Sequence, residues 1–203
     1  MIYITVGRVP DDYGAELRKR SLTLPQSRAE TLKKRKNDTE YAVSVFSSAA
    51  LYDFAEKYTG KPRDLAVTDN AKNGKPFFRD IPSLHFSLSH SFPYYATSFS
   101  DSETGADIEC LRGIDPKLAL RMFTENENRY FDGRAERFFE IWTKKEAYSK
   151  YTGNGIAEGF RSFDVLSRPI SDHLFFCKFG DAFLSVYSER KIADEIIEIK
   201  FVN

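Results

Sequence analysis

A helical pattern followed by short strand patterns occurs twice along this chain of 203 residues. The first helix is predicted between a cap at Asn37 or Asp38 and a stop at Gly60, since apolar residues recur at helical spacing between them. A second helix is predicted over 134–152, ending at the glycines of 153–155. Runs of β-favouring residues follow each helix and predict antiparallel strands. This order favours an α+β fold of two similar halves packed side by side.

The boundary between the two halves is expected near residue 100. We therefore expect an N-terminal half over 1–100 and a C-terminal half over 101–203. A further helix is predicted to begin where Asp115, a capping residue, precedes Pro116. Strands are expected at 2–6, 85–89, 94–99, 105–109, 160–166, 173–179, 183–187 and 196–202.

Composition excludes several classes of protein. Thirty basic residues balance thirty acidic ones, so the net charge gives no reason to expect binding to nucleic acid or to an anionic membrane. No apolar run approaches the roughly 18 residues needed to span a bilayer, and the N-terminus lacks the basic stretch of a signal peptide. Cys110 and Cys177 are the only cysteines, which favours a reduced, cytoplasmic setting.

Three carboxylates form a candidate metal site. Asp107 and Glu109 are two residues apart on a predicted strand, so their side chains lie on the same face. Glu146 follows Trp142 and precedes Lys150 on one stripe of the second predicted helix, near its buried face, where an unpaired carboxylate would be costly. Oxygen ligands without cysteine or a second histidine favour Mg²⁺, especially when phosphate oxygens complete its coordination.

A simpler explanation also fits these carboxylates. Asp107 and Glu109 can form an ordinary polar strand face, and Glu146 with Lys150 can form an i,i+4 ion pair on a helix surface. The sequence pattern by itself does not decide between the two explanations.

A serine–histidine pair and a lysine in a turn complete the polar motifs. Ser89 and His90 are neighbours on a predicted strand and point to opposite faces, so they cannot readily form a nucleophile–base pair. No G-x-S-x-G motif is present in the sequence. Lys75 lies between Gly74 and Pro76, in a turn that restricts its side chain and suits contact with a phosphate, although such turns are common.

Taken in order, four blocks resemble the 4'-phosphopantetheinyl transferases of the larger, surfactin-synthetase-activating (Sfp) type. They are Gly74–Pro76, Ser87–Ser91, Gly105–Glu109 and Trp142–Lys150, and the resemblance covers roughly residues 25–163. It implies the fold of that family, in which two halves are related by a pseudo-twofold axis and coenzyme A binds between them. It also implies a monomer.

The resemblance implies roles for individual residues. Mg²⁺ would be held by Asp107, Glu109 and Glu146. Lys150 would stabilise charge on the departing nucleotide. Glu127 would help to deprotonate the attacking serine, although Thr124 and Glu127 also fit a capping box that would fully explain the glutamate.

The remaining implied residues contact coenzyme A. Arg28 matches a basic residue that follows a proline in the family, and Lys75 matches a lysine that contacts the coenzyme. Ser89 and His90 would meet its phosphates, which makes His90 a phosphate ligand and not a general base. The basic run 33–36 is expected to be a solvated helix surface or a contact for an acidic carrier protein.

The implied activity is transfer of the 4'-phosphopantetheine arm of coenzyme A to a serine of an acyl or peptidyl carrier protein. Adenosine 3',5'-bisphosphate would be released. Two alternatives remain open from sequence. The first is a magnesium-dependent pyrophosphatase that uses water as the attacking group, and the second is a non-catalytic module that binds coenzyme A or a carrier protein.

Overall fold

The computed structural model describes residues 1–35, 37–155 and 159–202, and these contain both helices and strands. The strands are β1 (Ile2–Arg8), β2 (Thr68–Asn70), β3 (Pro76–Phe78), β4 (His85–Ser91), β5 (Tyr94–Ser100), β6 (Thr104–Cys110), β7 (Leu174–Phe179), β8 (Ala182–Ser188) and β9 (Ile197–Val202). The helices are α1 (Gly14–Leu22), α2 (Gln26–Leu32), α3 (Asp38–Thr59), α4 (Pro116–Met122), α5 (Glu125–Phe131), α6 (Ala135–Thr152) and α7 (Arg168–Ser171). The predicted α+β class is confirmed at this level.

The strands form two main sheets and one small hairpin. The first sheet has the order β4-β5-β1-β9, the second has the order β6-β8-β7, and β2 pairs with β3. Neighbouring strands are antiparallel except β1 and β9, which run parallel with Ile2 opposite Ile197. The strand β9 therefore lies in the first sheet, although it comes from the expected C-terminal half.

The two sheets pack face to face, with one long helix on the outer side of each. Ile4 of β1, Ile108 of β6 and Leu184 of β8 belong to the same buried apolar cluster between the sheets. On the outer side of the first sheet, α3 stacks the Phe54 ring against Phe99, with ring centroids 3.8 Å apart. On the outer side of the second sheet, α6 packs against β8. The edge strands β4 of the first sheet and β6 of the second sheet lie next to each other.

Capping residues determine the ends of the long helices, as the sequence predicts. The side chain of Asn37 accepts a hydrogen bond from the Glu40 amide at 2.7 Å, and α3 ends at Gly60 with φ of 67°. Asp115 caps α4 in the same way, and α6 ends at Gly153 with φ of 73°. These predicted boundaries are confirmed to within about one residue.

One predicted strand is wrong. Residues 160–166 form a short 3₁₀ turn over Phe160–Ser162 followed by a loop. The carbonyls of Phe160 and Phe163 turn inward and accept hydrogen bonds from the buried Lys145 ammonium at 2.6 and 2.7 Å. Backbone groups committed to a lysine in this way do not pair with a neighbouring strand. The helices α1 and α2 and the hairpin β2–β3 are not predicted from sequence.

None of the helices in the described part of the chain combines the length and the apolar character needed to cross a membrane.

Candidate active site

A cleft of about 590 Å³ opens where β4 and β6 lie side by side, between α2 and α3 on one side and α6 on the other. Seven of the nine residues singled out from the sequence line it: Arg28, Ser89, His90, Asp107, Glu109, Glu146 and Lys150. The other two, Lys75 and Glu127, lie elsewhere.

Asp107 is the most buried of the three carboxylates, with 4% of its surface exposed. Its Oδ1 accepts hydrogen bonds from Ser89 Oγ and from Lys150 Nζ, each at 2.7 Å. Its Oδ2 is buried and has no hydrogen-bond partner among the residues that the structure describes. Burial raises the pKa of Asp107, and the Lys150 ammonium opposes that shift. An unsatisfied buried carboxylate oxygen is costly unless a further ligand completes it.

Glu109 follows on the same face of β6. Its Oε2 accepts hydrogen bonds from Ser91 Oγ at 2.9 Å and from Arg112 Nη1 at 2.7 Å. The Arg112 guanidinium lies 5.0 Å from the centre of the Phe139 ring, and its bond to Glu109 raises the pKa of Arg112. The predicted separation of faces is confirmed, because Ile108 between the two carboxylates points into the core.

Glu146 faces these two carboxylates from α6. Burial raises its pKa to about 7, and the negative charges of Asp107 and Glu109 add to the shift. The helix can lie this close to β6 because residue 105 is glycine: a Cβ there would collide with the carbonyl oxygen of Ala147. The absence of a side chain at Gly105 thus allows α6 to bring Glu146 to the carboxylates of β6.

The three carboxylates provide the oxygen ligands that Mg²⁺ prefers, and the unsatisfied Oδ2 of Asp107 is an oxygen to which a cation would bind. As arranged, however, no three Asp, Glu, His or Cys side chains within the described ranges are close enough together to hold a metal ion. Lys150 and Arg112 neutralise the carboxylates of Asp107 and Glu109 in this arrangement. The assignment of these three residues to a metal therefore stays a prediction.

Cationic and polar groups line the opposite side of the cleft. Arg28 Nε donates to Ser48 Oγ at 2.9 Å, and burial lowers the pKa of this arginine. His90 Nε2 lies 3.4 Å from Ser44 Oγ, and burial with the nearby Arg35 charge lowers the pKa of His90. The imidazole is thus neutral near pH 7, while Arg28 supplies a fixed charge that suits a phosphate.

Sequence reasoning misses two parts of this wall. Arg35 lines the cleft, whereas the run 33–36 is interpreted from sequence as a solvated surface or a carrier contact. Lys36 of that run lies outside the described residues. The strand β2 contributes Thr68, Asp69 and Asn70. A hairpin with strands of three residues leaves no periodic pattern by which it could be found.

Lys75 does not reach the cleft, although Gly74 and Pro76 on either side of it do. Its ammonium binds Glu103 at 2.5 Å and donates to the carbonyls of Thr104 and Tyr151, each at 3.1 Å. The lysine therefore ties the β2–β3 hairpin to β6 and to the C-terminal end of α6. This geometry does not support the predicted contact with coenzyme A, and it indicates instead that Lys75 holds the hairpin in place beside the cleft.

Lys75→Met is expected to lower the free energy of unfolding by about 1–2 kcal/mol, because it removes hydrogen bonds made by a charged group. For coenzyme A, the ligand that the sequence resemblance implies, it should change the dissociation constant by less than about threefold. Arg28→Met should weaken that binding by about tenfold, or ~1.4 kcal/mol. Urea unfolding and calorimetric titration of coenzyme A measure both quantities. The exposed Lys72→Met is the control. If Lys75→Met and Arg28→Met weaken coenzyme A binding equally and stability is unchanged, the predicted contact of Lys75 with coenzyme A would be supported.

Glu127 is fully buried and lies away from the cleft. The predicted capping box is confirmed: its Oε2 accepts from the Thr124 amide at 2.7 Å, and Thr124 Oγ1 accepts from the Glu127 amide. The same carboxylate binds Lys145 at 2.8 Å and accepts from the Val165 amide at 2.9 Å. These partners account for the glutamate in full, so the structure favours the capping explanation over the catalytic one.

Comparison with known proteins agrees with the motifs. Residues 103–196 match the family model described as the 4'-phosphopantetheinyl transferase superfamily. This segment is therefore similar to that superfamily. The matched segment contains the three carboxylates and Lys150, whereas Arg28, Ser89 and His90 lie before it.

Curated relatives carry the same name. The 4'-phosphopantetheinyl transferase psf-1 of Bacillus pumilus is 40% identical over 107 residues, which cover 50% of this chain and 46% of the relative. The 4'-phosphopantetheinyl transferase gsp of Aneurinibacillus migulanus is 39% identical over 107 residues, covering 50% and 44%. Sfp of Bacillus subtilis (strain 168) is 32% identical over 97 residues, covering 45% and 43%. The chain thus spans about half the length of the curated relatives it matches.

Proposed function

We propose that this protein transfers the 4'-phosphopantetheine arm of coenzyme A to a serine hydroxyl of an acyl or peptidyl carrier protein. Adenosine 3',5'-bisphosphate is the second product. The observation that carries the proposal is the cleft itself: three carboxylates and Lys150 on one wall face Arg28 on the other. The match of residues 103–196 to the superfamily and the names of the relatives agree with it.

In the proposed reaction, the substrate serine oxygen forms a bond to the phosphorus that bears pantetheine. The bond from that phosphorus to the bridging oxygen of the pyrophosphate breaks, and the serine proton is released. Mg²⁺ held by Asp107, Glu109 and Glu146 would supply neutralisation of the pyrophosphate charge. The attacking group belongs to the carrier protein, so no serine of this chain acts as a nucleophile.

Residues of the chain position the coenzyme and offset its charge. Lys150, whose ammonium reaches Asp107 and Ser89, can turn to the oxygen that leaves with the nucleotide. Arg28 and Arg35 offer cations to the phosphates, and the neutral imidazole of His90 offers a hydrogen bond. Lys75 and Glu127 have no part in this proposal.

We also infer that the two sheets with their outer helices are halves related by a pseudo-twofold axis, with coenzyme A bound between them. Support comes from the placement of α3 and α6 on opposite outer sides and of the cleft where the sheets adjoin. The proposed scheme divides the chain into 1–100 and 101–203, with β9 as an exception because it pairs with β1. A cytoplasmic monomer is proposed, and its two free cysteines agree with a reducing compartment.

The proposed function is tested by incubating the protein with coenzyme A, Mg²⁺ and a panel of apo carrier proteins, followed by intact mass spectrometry of the carriers. We expect one carrier to gain one phosphopantetheine, and we expect a chelator to abolish the gain. Release of free phosphopantetheine without modification of any carrier would instead indicate a pyrophosphatase. Coenzyme A that binds but is never consumed would indicate a binding module.

A further inference from the structure

Alternating serines of β4 reach across to β6, although these two edge strands are not neighbours in either sheet. Ser87 Oγ accepts a hydrogen bond from the Ala106 amide at 2.9 Å. Two residues further along β4, Ser89 binds Asp107, and two residues beyond that, Ser91 binds Glu109. Because alternate residues of a strand share a face, the S-x-S-x-S pattern directs all three hydroxyls toward β6.

Ser91 makes two bonds to β6 that together fix the direction of its hydroxyl proton. Its Oγ accepts from the Cys110 amide at 3.2 Å, which directs its own proton away from that amide. The proton is donated to Glu109 Oε2 at 2.9 Å. Because both bonds hold the Ser91 hydroxyl in one direction, they favour one orientation of the Glu109 carboxylate.

The two carboxylates of β6 are held in the same manner. For Asp107, Oδ1 is bound by a serine and by Lys150, and Oδ2 has no partner among the described residues. For Glu109, Oε2 is bound by Ser91 and by Arg112, and no hydrogen bond reaches Oε1 from the part of the chain that the structure describes. In each carboxylate, one oxygen is anchored to the protein and the other is left for a further ligand.

Arg112 alone cannot provide this orientation. Its side chain is 54% exposed and reaches Glu109 from a flexible stem, so its bond is weakened by solvent. A cation that binds Glu109 would also repel the guanidinium, because both are positively charged. The Ser91 hydroxyl is neutral and would remain in place when a cation binds.

We propose that Ser91 is a positioning residue for Mg²⁺: it anchors Oε2 of Glu109 and leaves Oε1 as the donor to the metal. The proposal rests on the proposed function, since it takes the metal site of Asp107, Glu109 and Glu146 as given. Outer-sphere hydrogen bonds of this kind typically change metal affinity by about 10–100-fold when removed. Ser91 does not touch the reacting atoms and acts only through Glu109.

The test compares Ser91→Val with Ser91→Thr, which have nearly the same shape and differ in the hydroxyl group. Both are β-branched and suit a strand, so a difference between them reports the hydrogen bond and not packing. Binding of Mg²⁺ is measured by calorimetric titration at saturating coenzyme A, and melting temperature is measured with a chelator present. Ser87→Ala is the matched control, because it also removes a serine bond to a β6 amide but contacts no carboxylate.

We expect Ser91→Val to weaken Mg²⁺ binding by about tenfold, while Ser91→Thr and Ser87→Ala stay within about twofold of the wild type. Activity of Ser91→Val should recover at high Mg²⁺ concentration, since only the affinity is changed. Wild-type affinity in Ser91→Val would overturn the role of Ser91 and leave the metal site standing. A wild-type protein that shows no Mg²⁺ binding would overturn the metal site, and the role of Ser91 with it.

Discussion

Asp107→Ala is expected to abolish phosphopantetheine transfer, with a fall in kcat/KM of at least about 10³-fold. Its Oδ1 accepts a hydrogen bond from Lys150 Nζ at 2.7 Å, and its buried Oδ2 is the oxygen to which a cation would bind. Metal-ion and charge stabilisation contribute several kcal/mol to reactions of this class, and each ~1.36 kcal/mol corresponds to a factor of ten. The rate is measured by intact mass spectrometry of the carrier protein over time.

The same substitution should leave the protein folded. Asp107 has a buried oxygen that no group in the described ranges binds, so its removal relieves one cost while Lys150 keeps its bond to Ser89 Oγ at 3.0 Å. We expect the free energy of unfolding, measured with a chelator present, to change by less than about 1 kcal/mol. Asp12→Ala, at an exposed position, is the control for activity. Transfer that continues at the wild-type rate in Asp107→Ala would contradict the metal-binding role proposed for this residue.

Glu127→Gln is expected to lower the free energy of unfolding by about 3 kcal/mol without changing kcat of the folded protein. Both side chains of the Glu127–Lys145 pair are fully buried, and breaking such a pair typically costs about 3–5 kcal/mol. Burial lowers the pKa of Lys145, so the lysine can lose its proton once its partner is neutral. This relief places the expected cost at the lower end of the range.

The control for this prediction lies on the same helix. Glu125 has a side chain that is 87% exposed, and Glu125→Gln should change stability by less than about 0.5 kcal/mol. Urea unfolding gives the stabilities, and transfer rates are compared at a temperature where circular dichroism shows each variant folded. A catalytic base would behave in the opposite way, since its removal costs about 10²–10⁴-fold in rate. Such a loss of rate in Glu127→Gln, with stability unchanged, would support the catalytic role of Glu127.

Much of the fold can be predicted from the sequence because local chemistry determines the ends of its elements. The ends of α3 follow from an asparagine side chain that satisfies a free amide and from a glycine that adopts a positive φ. The same reasoning fails over 160–166, where an aromatic run typical of a strand is drawn inward by the ammonium of Lys145. The two hydrogen bonds join Lys145 to carbonyls that lie 15 and 18 residues further along the chain, so no local sequence pattern indicates them.

The site is predictable where strand and helix periodicity place side chains on a common face. The alternation at Asp107 and Glu109 and the stripe through Glu146 and Lys150 are of this kind, and the structure brings all four to one cleft. A turn motif gives no comparable direction. Lys75 is in a suitable turn, but whether its ammonium faces the cleft or Glu103 depends on which carboxylate the tertiary structure places nearest.

The parallel pairing of β9 with β1 joins strands from the two ends of the described chain. During synthesis on the ribosome, β1 emerges well before β9, so one of its edges stays open until Ile197–Val202 has emerged. We expect nascent chains that stop before β9 to expose this edge, where unpaired backbone groups can recruit strands of other molecules. Completion of the first sheet thus becomes a late event in folding, and chaperones that shield open strand edges would be needed most at that stage.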